Sequence, residues 1–131
     1  MRTVKDVEAY LGRLNRHYQA VDSEAGTFLV RSSENFPPIA VRVDPPLIVI
    51  RVRIGDAPKE DSTELYRKLL QFNAKGLVHA SYGLEDSRIV LSAALELENL
   101  DFNELEATLD EIDLALAQQV PVLAGLSKRN A

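Results

Sequence analysis

The 131-residue sequence predicts an α+β domain: a five-stranded, mostly antiparallel sheet with helices packed on it, in the order α-β-β-β-α-β-β-α. Three observations predict it. Apolar residues recur at three- and four-residue steps in three stretches, and five other stretches are short, apolar and rich in β-branched residues. Successive strands are joined by short polar or proline turns, which suit antiparallel neighbours. The length is that of one domain, 1–131, without internal repeats or low-complexity tracts.

Thr3, with Asp6 three positions on, caps a first helix whose stripe is Val4, Val7, Leu11, Leu14 and Tyr18. From Ala25-Gly26 the period changes, and TFLVRS, PIAVRV and LIVIRVRI read as three strands. Pro37-Pro38 and Asp44-Pro45-Pro46 separate them, because proline removes a ladder donor and fixes extended backbone. After the loop GDAPKE, Asp61 with Glu64 gives an acidic version of the capping box for a second helix that ends near Lys75-Gly76. LVHASYGL and RIVLSAALEL form a hairpin, with Glu85, Asp86 and Ser87 as its polar turn. Asp101 and Glu104 box the last helix, Leu100 is placed to staple against Leu105, and Leu109, Ile112 and Leu116 continue the stripe. Pro121 ends or kinks that helix, and residues 128–131 are expected to fray.

Composition excludes much chemistry. There is no cysteine, hence no disulfide, thiol nucleophile or thiolate metal site, and His17 and His79 alone cannot make a multi-histidine centre in one chain. No metal and no cofactor are expected. The longest fully apolar run, Leu47 to Ile50, is far short of the roughly 20 residues of a membrane helix. Asp6 and Glu8 fall where a secretory signal would place its apolar core, so a cytoplasmic location is expected. Of the formal net charge of -5, residues 89–127 contribute eight acids and no base, which argues against a nucleic-acid footprint there. Glycine-rich phosphate loops and HExxH are absent, and the acid pairs Asp61/Glu64 and Asp101/Glu104 are explained as caps. Catalytic residues are therefore not expected.

Two features exceed ordinary packing. In the third strand Ile48, Ile50, Val52 and Ile54 take the core face, while Leu47, Val49, Arg51 and Arg53 form a mixed apolar and arginine face that Arg31 and Arg42 extend. That face is either solvated or a contact surface for a protein or an anion. In the second helix Leu65, Leu69, Phe72, Tyr66, Leu70, Asn73 and Ala74 cover an arc of roughly 200°, where packing on one sheet uses nearer 100°. The surplus points either to a second copy of the chain or to a neighbouring helix within it.

The stretch LYRKLLQFNAKGLVHASYGLEDSRIVLSAALELENLDFNELEATLDEI resembles type III secretion chaperone-like domains, the Tir chaperone (CesT) family and the related YbjN-type proteins. The residues that carry it are Leu69, Leu70 and Asn73 at the helix end, Gly83-Leu84, the acidic turn, and Asn99 to Asp101 before an acidic amphipathic helix. The resemblance implies a non-enzymatic homodimer whose second helix and later strands form the interface, and the wide apolar arc of that helix puts Leu65, Leu69 and Phe72 there. It also implies outer surfaces that hold an extended partner polypeptide, placed here on Leu47, Val49, Arg51 and Arg53, with strand addition to an edge as a further mode. Two other functions compete: an anion or nucleotide sensor using Arg31, Arg42, Arg51 and Arg53, and an enzyme using His79 with Glu96 or Glu98.

Overall fold

Alternating burial sets the direction in which each strand faces. In the computed structural model, which describes residues 1–32, 35–60 and 62–129, six strands form one sheet: β1 (Tyr18–Ala20), β2 (Thr27–Val30), β3 (Ile39–Asp44), β4 (Leu47–Asp56), β5 (Ser81–Glu85) and β6 (Arg88–Glu96). Their order is β1-β2-β3-β4-β6-β5, with every neighbouring pair antiparallel. Phe28, Val41, Ile50 and Ala93 stand side by side across four strands, and all four are buried. Ile48, Val52, Ile89 and Leu91 extend this layer, and Ile54 is half-buried beside a register shift between Arg53 and Gly55.

Four helices cover that layer: α1 (Val4–Arg13), α2 (Thr63–Gln71), α3 (Phe102–Gln118) and α4 (Val120–Arg129). Val7 and Leu11, Leu65 and Leu69, Leu105, Leu109, Ile112 and Leu116, and Leu123 join the strand residues in a single buried cluster. Each fully buried aliphatic side chain contributes about 1.5–3 kcal/mol, which outweighs the modest helix propensity of the short α1 and α4. Two helices begin on reciprocal capping boxes, Thr3 with Asp6 and Asp101 with Glu104, as their spacing predicts. Among the described residues no helix is long and apolar enough to cross a membrane.

The strand count is six rather than five. Tyr18 does not continue the first helix: the helix stops at Arg13, Asn15 turns the chain at φ 56°, and Tyr18 starts β1 with its ring edge-on to Phe28. Asp61 lies outside the described residues; α2 follows Ser62, whose hydroxyl donates to the Glu60 carbonyl and caps nothing. The helix ends in a single π-turn at Phe72–Gly76. Pro121 marks the break between α3 and α4 and sits in the first turn of α4, where no helical N–H is required. The backbone continues as helix through Lys128 and Arg129, and Asn130 and Ala131 lie outside the described residues.

Candidate functional site

Because the helices bury their stripes together against one side of the sheet, the other side is left uncovered by the described residues. Register brings Arg42, Val49 and Ala94 into one row there, Ala40, Arg51 and Ser92 into the next, and Arg53 opposite Val90. Val49, Val90 and Ser92 are half-buried by their neighbours; Leu47, Arg42, Arg53 and Ala94 are exposed. The expected face of β4 thus exists as expected, with Leu47, Val49, Arg51 and Arg53 all on it. A shallow hollow of about 370 Å³ opens on this side, with Val49, Arg51, His79, Ser81, Glu85 and Ser92 in its wall.

Its charges are unequal. Arg51 reaches across β6 to the Glu85 carboxylate of β5, and Arg53 pairs with Asp56 at 3.1 Å. Arg31 and Arg42 are exposed and have no carboxylate partner among the described residues. The contributions of β6 and of Glu85 are invisible in local sequence, because only the sheet order puts β6 beside β4.

His79 lies at the rim, and its carboxylate partner is Glu111 of α3, at 3.1 Å from Nδ1, rather than Glu96 or Glu98. Glu98 instead pairs with the terminal amino group of Met1 at 3.3 Å. Glu111 also accepts the backbone N–H groups of Val78, His79 and Ala80, at 2.9–3.0 Å. Burial on its own raises this carboxyl, but the donors from Ala80, the His79 ring, Val78 and the His79 backbone outweigh it and hold the pKa below the ordinary value. That is an anchoring role, with three amides converging on one anion. Further in, the Tyr82 hydroxyl donates to Gln119 Oε1 at 2.7 Å, and burial pushes its pKa up to about 12. Gln119 Nε2 in turn donates to the Gly76 carbonyl, and a Cβ at Gly76 would lie 2.6 Å from that nitrogen, so a side chain there would push the Gln119 amide aside. Among the described residues no group of three or more histidines and acids gathers as a metal site.

The wide apolar arc of α2 divides in two. Leu65 and Leu69 are 1% and 6% exposed and belong to the protomer's own core, where α4 packs against α2. Their expected place at a dimer interface thus falls on side chains already covered by their own chain. Phe72 is half-buried against Tyr82, with ring centroids 6.2 Å apart. The other half of the arc, Tyr66, Leu70 and Asn73, runs toward β5, and there Leu70 is 68% exposed.

The CesT_Tir_1 family model matches residues 1–129. The chain belongs to the CesT_Tir_1 family. Its fold is shared with a chain of the heterodimeric ExoU–SpcU complex from the type III secretion system of Pseudomonas aeruginosa. The TM-score is 0.70 at 19% identity, over 88% of this chain and 95% of that one. YbjN from E. coli gives 0.67 at 14% identity, over 90% and 94%. The Yersinia pestis type III secretion chaperone SycH, solved with a stable fragment of YscM2, gives 0.60 at 17% identity, over 92% and 99%. No curated protein matches the chain by sequence. The CesT_Tir_1 match covers nearly the whole chain, where the motifs alone span roughly residues 65–115 and the element order carries the likeness further, and the structural neighbours share its antiparallel sheet with helices.

Proposed function

We propose that this chain is a non-enzymatic, cytoplasmic, chaperone-like protein-binding module that works as a homodimer and holds an extended stretch of partner polypeptide on the uncovered face of its sheet. The observation that carries the reading is the face itself, where Val49, Val90 and Ala94 lie among Arg42, Arg51 and Arg53 on strands backed by the core. An extended chain laid there buries alternate apolar side chains on the valines and brings acidic groups to the arginines. Arg42 supplies a charge with no carboxylate partner among the described residues, whereas Arg51 and Arg53 already face Glu85 and Asp56. The company of the neighbours supports a protein partner: SycH was solved with a fragment of YscM2. The homodimer draws its support from exposed apolar residues on the β5 side of the molecule, Leu70 on α2 and Leu84, 51% exposed, on β5. The anion-sensor alternative has no such support, since two of its four arginines are paired with carboxylates of the chain.

The test uses a labelled dodecapeptide of alternating valine and glutamate, followed by fluorescence anisotropy. Binding is expected, and the triple variant Arg42→Ser/Arg51→Ser/Arg53→Ser is expected to weaken it about tenfold, roughly 1.4 kcal/mol. The variant's thermal midpoint should stay within a few degrees, because exposed charges contribute about 1 kcal/mol or less to folding. Undiminished binding by the triple variant would remove the partner from this face, and no binding by the unaltered protein would overturn the reading.

A further inference from the structure

Side chains close one edge of the sheet. Among the described residues β5 has a neighbour on one side only, β6, and the hairpin pairs Glu85 with Arg88, Gly83 with Val90 and Ser81 with Ser92. In an antiparallel ladder that begins at the closing pair, the residues between, Tyr82 and Leu84, turn their N–H and C=O outward. An outward row of this kind is a template for another strand. At Tyr82 it is occupied: the backbone N–H donates to Asn73 Oδ1 at 2.7 Å, and Asn73 Nδ2 donates to the Tyr82 carbonyl at 3.1 Å. The side-chain amide stands where a neighbouring strand's peptide group would stand. It is carried by the π-turn that ends α2, a local feature often found where a helix serves a particular position. Just before β5, the N–H groups of Val78, His79 and Ala80 are all taken by Glu111. From Val78 to Tyr82 these five backbone groups are therefore held by two side chains, and the outward groups of Leu84 have no partner among the described residues.

We infer that Asn73 and Glu111 lock this edge against strand addition, so that a second copy meets it through the Leu70 and Leu84 side chains and not by continuing the sheet. The clause about a second copy rests on the homodimer reading; the lock does not. A foreign strand here would have to displace two hydrogen bonds at Tyr82 and three at Val78 to Ala80 before gaining any of its own.

Amide hydrogen exchange on the full chain carrying Leu70→Glu, an exposed position, reads the lock without a second copy over the edge. After correction for intrinsic rates, the Tyr82 amide is expected to exchange at least about tenfold more slowly than that of Leu84, its unlocked neighbour on the same edge. Asn73→Ala should bring Tyr82 to the rate of Leu84 while leaving Ile50 and Leu91 slow. Asn73→Asp, which keeps an acceptor for the Tyr82 N–H, should retain most of the protection. Equal rates at Tyr82 and Leu84 before any change at Asn73 would overturn the lock, and that comparison stands even if Asn73→Ala fails to fold. A Leu70→Glu protein that still sediments as a dimer would overturn the clause about the second copy and leave the exchange comparison intact.

Discussion

Glu111 draws its donors from a segment more than thirty residues earlier in the chain, and its charge is what makes it an effective anchor for Val78, His79 and Ala80. Its folded pKa is depressed, so its carboxylate contributes stability that is fully present above the unfolded value near 4.5 and is lost as pH falls through the lower folded value. Glu111→Gln is expected to lower the thermal midpoint at pH 7 by about 5 °C, the effect of roughly 1–2 kcal/mol in charge-assisted hydrogen bonding. The gap to the unaltered protein should shrink toward pH 3, where the unaltered protein loses the same contribution. Thermal unfolding of both proteins at the two pH values checks this, and an equal gap at both would contradict it. Little of it was legible in sequence. Glu111 reads there as one acid on a solvated helix face, and the sequence offers Glu96 or Glu98 to His79, because nothing local reveals which carboxylate the tertiary fold carries to a given loop.

The helix α2 shows where sequence reasoning reaches and where it stops. The breadth of its apolar arc is legible, since it follows from 100° per residue; which half is covered depends on α4, a helix not expected beyond Pro121. With Leu123 of α4 in the core, Leu65 and Leu69 face inward and Leu70 outward. The homodimer reading is therefore tested at Leu70. Sedimentation at micromolar concentration should show a dimer for the unaltered protein and a monomer for Leu70→Glu, because a charge buried unpaired in an interface costs several kcal/mol. The Leu70→Glu monomer should still unfold in one cooperative transition, because Leu70 lies outside the core. Leu69→Glu, by contrast, should fail to fold, which separates the two halves of the arc. An unaltered protein that sediments as a monomer would contradict the dimer. At the other end of the chain, Tyr18 falls on helical spacing only by coincidence: Asn15 ends the run, and a three-residue edge strand is too short to show an alternation of its own.

At the scale of the whole molecule, the two faces of β4 are legible from alternation alone, and the core of Ile48, Ile50 and Val52 lies where the pattern puts it. The second neighbour of β4 is not legible, because α2 intervenes before the last hairpin and nothing local says whether β5 or β6 docks on β4. β6 does so, which builds an uncovered face from β2, β3, β4 and β6 together and places Val90, Ser92 and Ala94 beside the expected arginines. The central claim is that this face receives the partner. Methyl NMR during titration with the valine–glutamate dodecapeptide tests it most directly, because methyl groups, unlike amides, belong to one side of a sheet. The account expects the Val49, Val90 and Leu29 methyl signals to shift while those of Val41, Ile50 and Leu91 stay in place; shifts confined to Leu70, Leu84 and Val122 on the helical side would contradict it.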